Sequence, residues 1–99
     1  FYTGDPLGAE EASRLGLVNR IVAPDELERS VGELAARLAA GPVGALAAIK
    51  RAVNRAQSST FEEAIDYEFH LQAARMTDAD FTEGVAAFLE KRAPRFGGG

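Results

Sequence analysis

Apolar positions along this chain recur at helical rather than strand spacing. Leu27, Val31, Leu34, Ala35 and Leu38 fall on one face of a helix, and Pro24 with Asp25 and Glu26 suits its first turn. Gly41 stops that helix, and Pro42 restarts the chain into a third one running from about Val43 to Gln57. Its inward residues are predicted as Leu46, Ile49, Val53 and Ala56, with Lys50, Arg51 and Arg55 outward. A fourth helix starts at Thr60, which with Glu63 three residues on forms a capping box, and carries Phe61, Ile65, Phe69 and Met76 on one side. Thr77 or Asp78 can cap a fifth helix with the stripe Phe81, Val85, Phe88 and Leu89, ended by Pro94. Upstream, "PLGAEEASRLG" reads as a short helix with Gly8 as N-cap, Glu10 and Glu11 in its positive first turn, and Gly16 at the left-handed C-terminal position. Val18, Ile21 and Val22 favour extended backbone, as a short strand or an unpaired extended segment. The pattern predicts a mainly α fold of four to five helices with one short extended segment. A parallel sheet is excluded, because there is a single strand candidate.

Composition changes this picture little. At 99 residues the chain is one domain at most, and 46% hydrophobic with 26% charged residues is ordinary for a globular protein. The formal charge of -4 argues against a general nucleic-acid binder. With no cysteine there is no disulfide, thiolate nucleophile or cysteine-ligated zinc. No apolar run reaches the ~18 residues that span a bilayer, and no signal peptide is visible. The first residue is Phe1 rather than methionine, so the expectation is a piece of something longer.

Candidate chemistry is sparse. His70, the only histidine, lies mid-helix beside Phe69 and Leu71 with no motif around it, and reads as a surface or packing residue. The glutamate pairs Glu10-Glu11 and Glu62-Glu63 open helices, where the macrodipole explains them better than acid/base work. No calcium-loop pattern or phosphate-cradling glycine motif is present, and no metal site is expected. The unusual feature is a cationic exit from the last helix: Lys91, Arg92 and Arg95 fall within five positions of an acidic chain. Cations at a helix C-terminus are favoured by the dipole. A lysine leaving a helix end can also meet a phosphate-bearing ligand.

Three stretches, in order, resemble the enoyl-CoA hydratase/isomerase (crotonase) family. "TGDPLGAEEASRLGLVNRIV" is similar to T-G-x-x-(I/L)-x-A-x-E-A-x-x-x-G-L-V-x-x-V-V, "GPVGALAAIKRAVNRA" to the family's next helix, with Lys50 and Asn54 at common positions. "DFTEGVAAFLEKRAPRF" resembles the family's ending, D-x-x-E-G-x-x-A-F-x-E-K-R-x-P-x-F, through Asp80, Glu83, Gly84, Ala87, Phe88, Glu90, Lys91, Arg92, Pro94 and Phe96.

The resemblance implies the C-terminal part of a crotonase-like fold. Residues 1–23 would be a lead-in helix and extended segment following the catalytic spiral, 24–96 a helical trimerisation region, and 97–99 a disordered tail. The oxyanion hole and acid/base glutamates of the family lie in the spiral core, so no catalytic residue is expected in this chain, and the fragment alone is expected to be inactive. The parent is expected to be a cytoplasmic acyl-CoA hydratase or isomerase (a lyase). It would act through a stabilised enolate, take coenzyme A only as part of its substrate, need no separate cofactor, and assemble into trimers or hexamers without nucleic acid or membrane. An isomerase of aromatic-acid degradation is the alternative within the family, and a non-catalytic helical interaction module is the alternative outside it. By resemblance, Lys91 contacts the nucleotide part of coenzyme A, and Arg92 is structural. Where the family often places an aromatic near the acyl pocket, this chain offers Gln72 and Met76, one turn apart, as a possible pocket wall.

Overall fold

A computed structural model describes residues 2–97 and contains five α-helices with no strand among them. Gly98 and Gly99 of the expected tail lie outside the described residues, whereas the Gly97 amide donates to Asp80 Oδ1 at 3.1 Å. The chain divides into two compact units, residues 1–34 and 35–99.

In the first unit, α1 spans Ala9–Arg14 with Glu10 and Glu11 in its first turn and an ion pair between Glu11 and Arg14. It ends in the hydrogen-bond pattern of a Schellman turn. Gly16 has φ +74°, its amide donates to Ser13 O at 3.0 Å, and the Leu17 amide donates to Ala12 O at 2.9 Å. The segment expected to be extended, around Val18–Val22, forms no strand, because nothing in this unit offers a second strand to pair with. A 3₁₀ turn at Pro24–Glu26 then leads into α2, Leu27–Ala39. Arg29 bridges Glu26 at 2.6 Å and Glu33 at 2.9 Å along its outer face, exposed pairs worth a few tenths of a kcal/mol each.

In the second unit, α2 stops where the Gly41 amide reaches Leu38 O at 3.1 Å, and Pro42 serves as N-cap of α3, Val43–Ala56. Helix α4, Phe61–Arg75, opens with the predicted capping box: Glu63 N donates to Thr60 Oγ1 at 3.3 Å and Thr60 N to Glu63 Oε2 at 2.9 Å. Helices α3 and α4 pack on each other, with the Arg55 guanidinium 4.7 Å from the centre of the Tyr67 ring.

The inward face of α3 matches the one periodicity suggested only at Leu46, which is half-buried; Ala56 is exposed. Ala48 is buried at 6% exposure and Ala45 and Ala52 are half-buried, whereas Ile49 and Val53 are each 58% exposed. On α4, Ala64, Tyr67 and Leu71 are partly covered, while Phe61, Ile65, Phe69 and Met76 are exposed. Small residues let two helices approach closely, so the alanines take the internal contact and the large apolar residues stand open. Helix α5, Ala79–Leu89, has its buried residue, Ala87, on the same principle. Asp78 sits at the N-cap of α5 but makes no capping hydrogen bond, because its carboxylate is 2.9 Å from Arg75 Nη1. That ion pair lies against Gly44, where an added Cβ would stand 2.8 Å from Arg75 Nη1.

Candidate functional site

The end of α5 departs most from local expectation. Lysine is a good helix former, so the sequence "FLEKRAP" favours continuing the helix up to the residue before Pro94. Instead α5 ends at Leu89, with Glu90 as its C-cap. Lys91 takes φ +53°, the one non-glycine residue with positive φ among the described residues. The Lys91 amide donates to Phe88 O at 3.3 Å and the Arg92 amide to Ala87 O at 3.0 Å. These are the same two bonds that close α1, with lysine where α1 has Gly16. A Cβ in the left-handed region costs ~1–2 kcal/mol, so surrounding contacts must hold Lys91 there.

Those contacts come from two carboxylates on α5. Glu83 receives Arg92 through two parallel bonds, Nη1 to Oε1 at 2.6 Å and Nη2 to Oε2 at 2.9 Å. Its Oε1 also accepts the Arg95 backbone amide at 2.7 Å. Three residues earlier on the same face, Asp80 accepts the Gly97 amide. Between the two attachments, Phe96 lies over Gly84, with its Cε1 3.8 Å from where a Cβ would stand. The chain after Lys91 therefore folds back along α5, and Asp80, Glu83, Gly84, Arg92 and Phe96 form one clasp. Apart from Arg92, which belongs to the cationic cluster, the sequence singled out these positions by resemblance alone. The three-residue spacing of Asp80 and Glu83, followed by arginines beyond the helix, is the signal that marks a return segment.

Electrostatics follow the geometry. The Arg92 guanidinium, then the Arg95 amide, hold the Glu83 carboxyl well below the usual carboxylate range, down to about 2. Glu83 and then Glu90, whose Oε2 is 2.6 Å from Arg92 Nε, push the Arg92 pKa up. The cationic exit thus separates into distinct parts. Arg92 is occupied within the clasp, the Arg95 backbone is tied to Glu83, and the Lys91 ammonium is exposed and forms no ion pair among the described residues.

The other two candidates are on α4. Gln72 lines an open groove of about 430 Å³ between α3 and α4, together with Ile49, Val53, Leu71 and Phe81. Met76 is the C-cap of α4, exposed, and not among the residues lining that groove. A second open groove, about 400 Å³, is lined by Ala45, Phe81, Val85, Phe88, Leu89 and Phe96 among others. No cluster of three or more His, Asp or Glu side chains suited to a metal ion occurs among the described residues. No single helix among them is long and apolar enough to cross a membrane.

The profile of the family described as enoyl-CoA hydratase/isomerase matches residues 1–99. A probable enoyl-CoA hydratase of Rhodobacter capsulatus is 43% identical over 94 residues, which cover 95% of this chain and 37% of the relative. The 1,2-epoxyphenylacetyl-CoA isomerase of Escherichia coli is 38% identical over 95 residues, covering 96% of this chain and 36% of that protein. Among solved structures, an enoyl-CoA hydratase subunit of Geobacillus kaustophilus superposes with a TM-score of 0.93 at 43% identity, covering 99% of this chain and 38% of that one. The chain thus spans little more than a third of the length of these relatives.

Proposed function

Because the chain belongs to the enoyl-CoA hydratase/isomerase family, we propose that it is the C-terminal helical part of a cytoplasmic enzyme acting on acyl-CoA thioesters, and that Lys91 binds the coenzyme A phosphates. The observation that carries this reading is the left-handed, unpaired Lys91 beside a fully occupied Arg92. A lysine ammonium is a compact charge with three donors, suited to a phosphate that moves little during the reaction. Its role is anchoring. Affinity from this remote end of the substrate serves to orient the thioester where the chemistry occurs.

The chemistry itself is assigned to the remainder of the longer polypeptide. There, backbone amides stabilise the enolate formed next to the thioester carbonyl. Water adds across the α,β double bond, or a proton is removed and returned so that the bond migrates. No cofactor is needed beyond the coenzyme A of the substrate, and none of the glutamates described above takes a catalytic role. The isomerase alternative is favoured by the 38% identity to 1,2-epoxyphenylacetyl-CoA isomerase. The open faces of α3 and α4, with Phe61 at 77% and Phe69 at 71% exposure, support self-association of the parent through these helices.

The test compares crotonyl-CoA with crotonyl-pantetheine in the full-length polypeptide. Lys91→Ala is expected to raise KM for the CoA ester by about tenfold, the worth of one charge-assisted hydrogen bond, and that for the pantetheine thioester far less. Equal changes for both refute the anchoring role, and a full-length polypeptide that binds no acyl-CoA refutes the function. Hydration by the isolated 99-residue chain refutes the assignment of the chemistry elsewhere.

A further inference from the structure

We propose that Glu83 is a positioning residue for Lys91: by holding Arg92 and the Arg95 amide, it ends α5 at Leu89 and keeps Lys91 in the left-handed turn that presents its ammonium to the coenzyme A phosphates. This rests on the anchoring role of Lys91 proposed above.

Two conformations compete at this point in the chain. In one, α5 continues through Lys91 and Arg92, as their helix propensity favours, until Pro94 prevents it. In the other, which the structure shows, the chain reverses at Lys91 and runs back along α5. Two backbone bonds close the reversal, but they leave Lys91 in a conformation costly for a residue with a Cβ. The difference is made up downstream. Arg92, immediately after the reversal, is gripped by both Glu83 oxygens at 2.6 and 2.9 Å, and the Arg95 amide by Oε1 at 2.7 Å. All three bonds require the reversal, since Glu83 lies two turns back on α5 and an extended helix would carry residues 92–95 away from it. The Glu83 side chain is 24% exposed, so the grip is partly shielded from solvent.

This role predicts an effect opposite in sign to simple charge. Glu83→Gln removes a negative charge beside the site and makes it more cationic. Through-space attraction alone would then tighten binding of a phosphate. The positioning role predicts weaker binding, because only the fraction of molecules with Lys91 in the reversed turn is competent.

The experiment measures binding of butyryl-CoA and butyryl-pantetheine by calorimetry to the full-length enzyme, its Lys91→Ala and Glu83→Gln variants, and the double variant. Glu83→Gln is expected to weaken butyryl-CoA binding by roughly five- to tenfold, the population factor for a left-handed residue up to the ceiling set by losing Lys91 itself. Butyryl-pantetheine should change by less than about twofold, and in the Lys91→Ala background Glu83→Gln should cost nothing further. Tighter binding of butyryl-CoA, equal loss for both ligands, or additive loss in the double variant overturns the proposal. If Lys91→Ala discriminates between the ligands and Glu83→Gln does not, positioning fails while anchoring stands. If Lys91→Ala itself does not discriminate, anchoring fails, and positioning with it. Should Glu83→Gln lose its helical circular dichroism, Arg92→Lys, which keeps the charge and loses the paired bonds, is held to the same outcomes.

Discussion

Replacing Lys91 by glycine and by alanine should reverse the usual order of these two residues in a helical segment. With Lys91 at φ +53°, alanine keeps a Cβ in the left-handed region, a cost of ~1–2 kcal/mol that glycine avoids. Glycine gives back ~0.5–1 kcal/mol through the larger freedom of its unfolded chain. Glycine should therefore exceed alanine by up to about 1.5 kcal/mol. Both variants lose the lysine charge at the α5 C-terminus, worth ~0.3–1 kcal/mol, so that term cancels between them. Had α5 continued through residue 91, alanine would lead by ~1 kcal/mol instead. The sign alone thus decides. The assay is urea unfolding of the full-length polypeptide at one fixed protomer concentration, with equal m-values required before midpoints are compared. Gly16 provides the internal control: at φ +74°, Gly16→Ala should destabilise by at least ~0.4–1 kcal/mol. If Gly16→Ala loses stability as expected while Lys91→Ala equals or exceeds Lys91→Gly, the reversed turn at Lys91 is refuted.

Three further outcomes follow from the same geometry. Glu83 has its carboxyl held down to about 2, so its contribution to stability is present above the ordinary glutamate range and is lost as pH falls through that range toward about 2. The urea midpoint should accordingly fall less steeply below about pH 5 in Glu83→Gln than in the parent, and parallel curves contradict the clasp. Thr60→Ala removes one half of the α4 capping box and should cost about 1 kcal/mol, read as a drop in Tm; an unchanged Tm means the box contributes nothing. The isolated 99-residue chain, with Phe61 at 77% and Phe88 at 82% exposure, should self-associate in sedimentation runs, and a monomer at high concentration counts against the open faces being assembly surfaces.

Helix starts were legible because they depend on a few neighbouring residues. Thr60 with Glu63, Pro24 with Asp25, and Gly16 after α1 each act within one turn, and each does what its chemistry suggests. Helix faces were legible only in part. Periodicity shows that Ile49 and Val53 share a stripe, but not that Ala45, Ala48 and Ala52, rotated from it, are the covered residues. The stop of α5 was misplaced for a related reason. Pro94 is a strong local signal, whereas the earlier stop at Leu89 depends on Glu83 meeting residues nine and twelve positions later. The same contact divides Lys91, Arg92 and Arg95, which read as one cluster in the sequence, into an exposed cation and a buttressed clasp.

The two Schellman turns among the described residues locate where a side chain is needed. Both are closed by the same pair of backbone bonds, and both require positive φ at one residue. After α1 that residue is Gly16, which meets the requirement with no side chain and no supporting clasp; a Cβ placed there would meet nothing within 4 Å. Space is therefore not what restricts Gly16; backbone conformation is. After α5 the same conformation is imposed on a lysine, at a cost glycine would avoid, and two carboxylates, a bidentate arginine and a packed phenylalanine are arranged around it. A turn that needed only to reverse the chain would carry glycine at both places. The extra support at Lys91 is accounted for if the ammonium has to leave the helix end in that one direction.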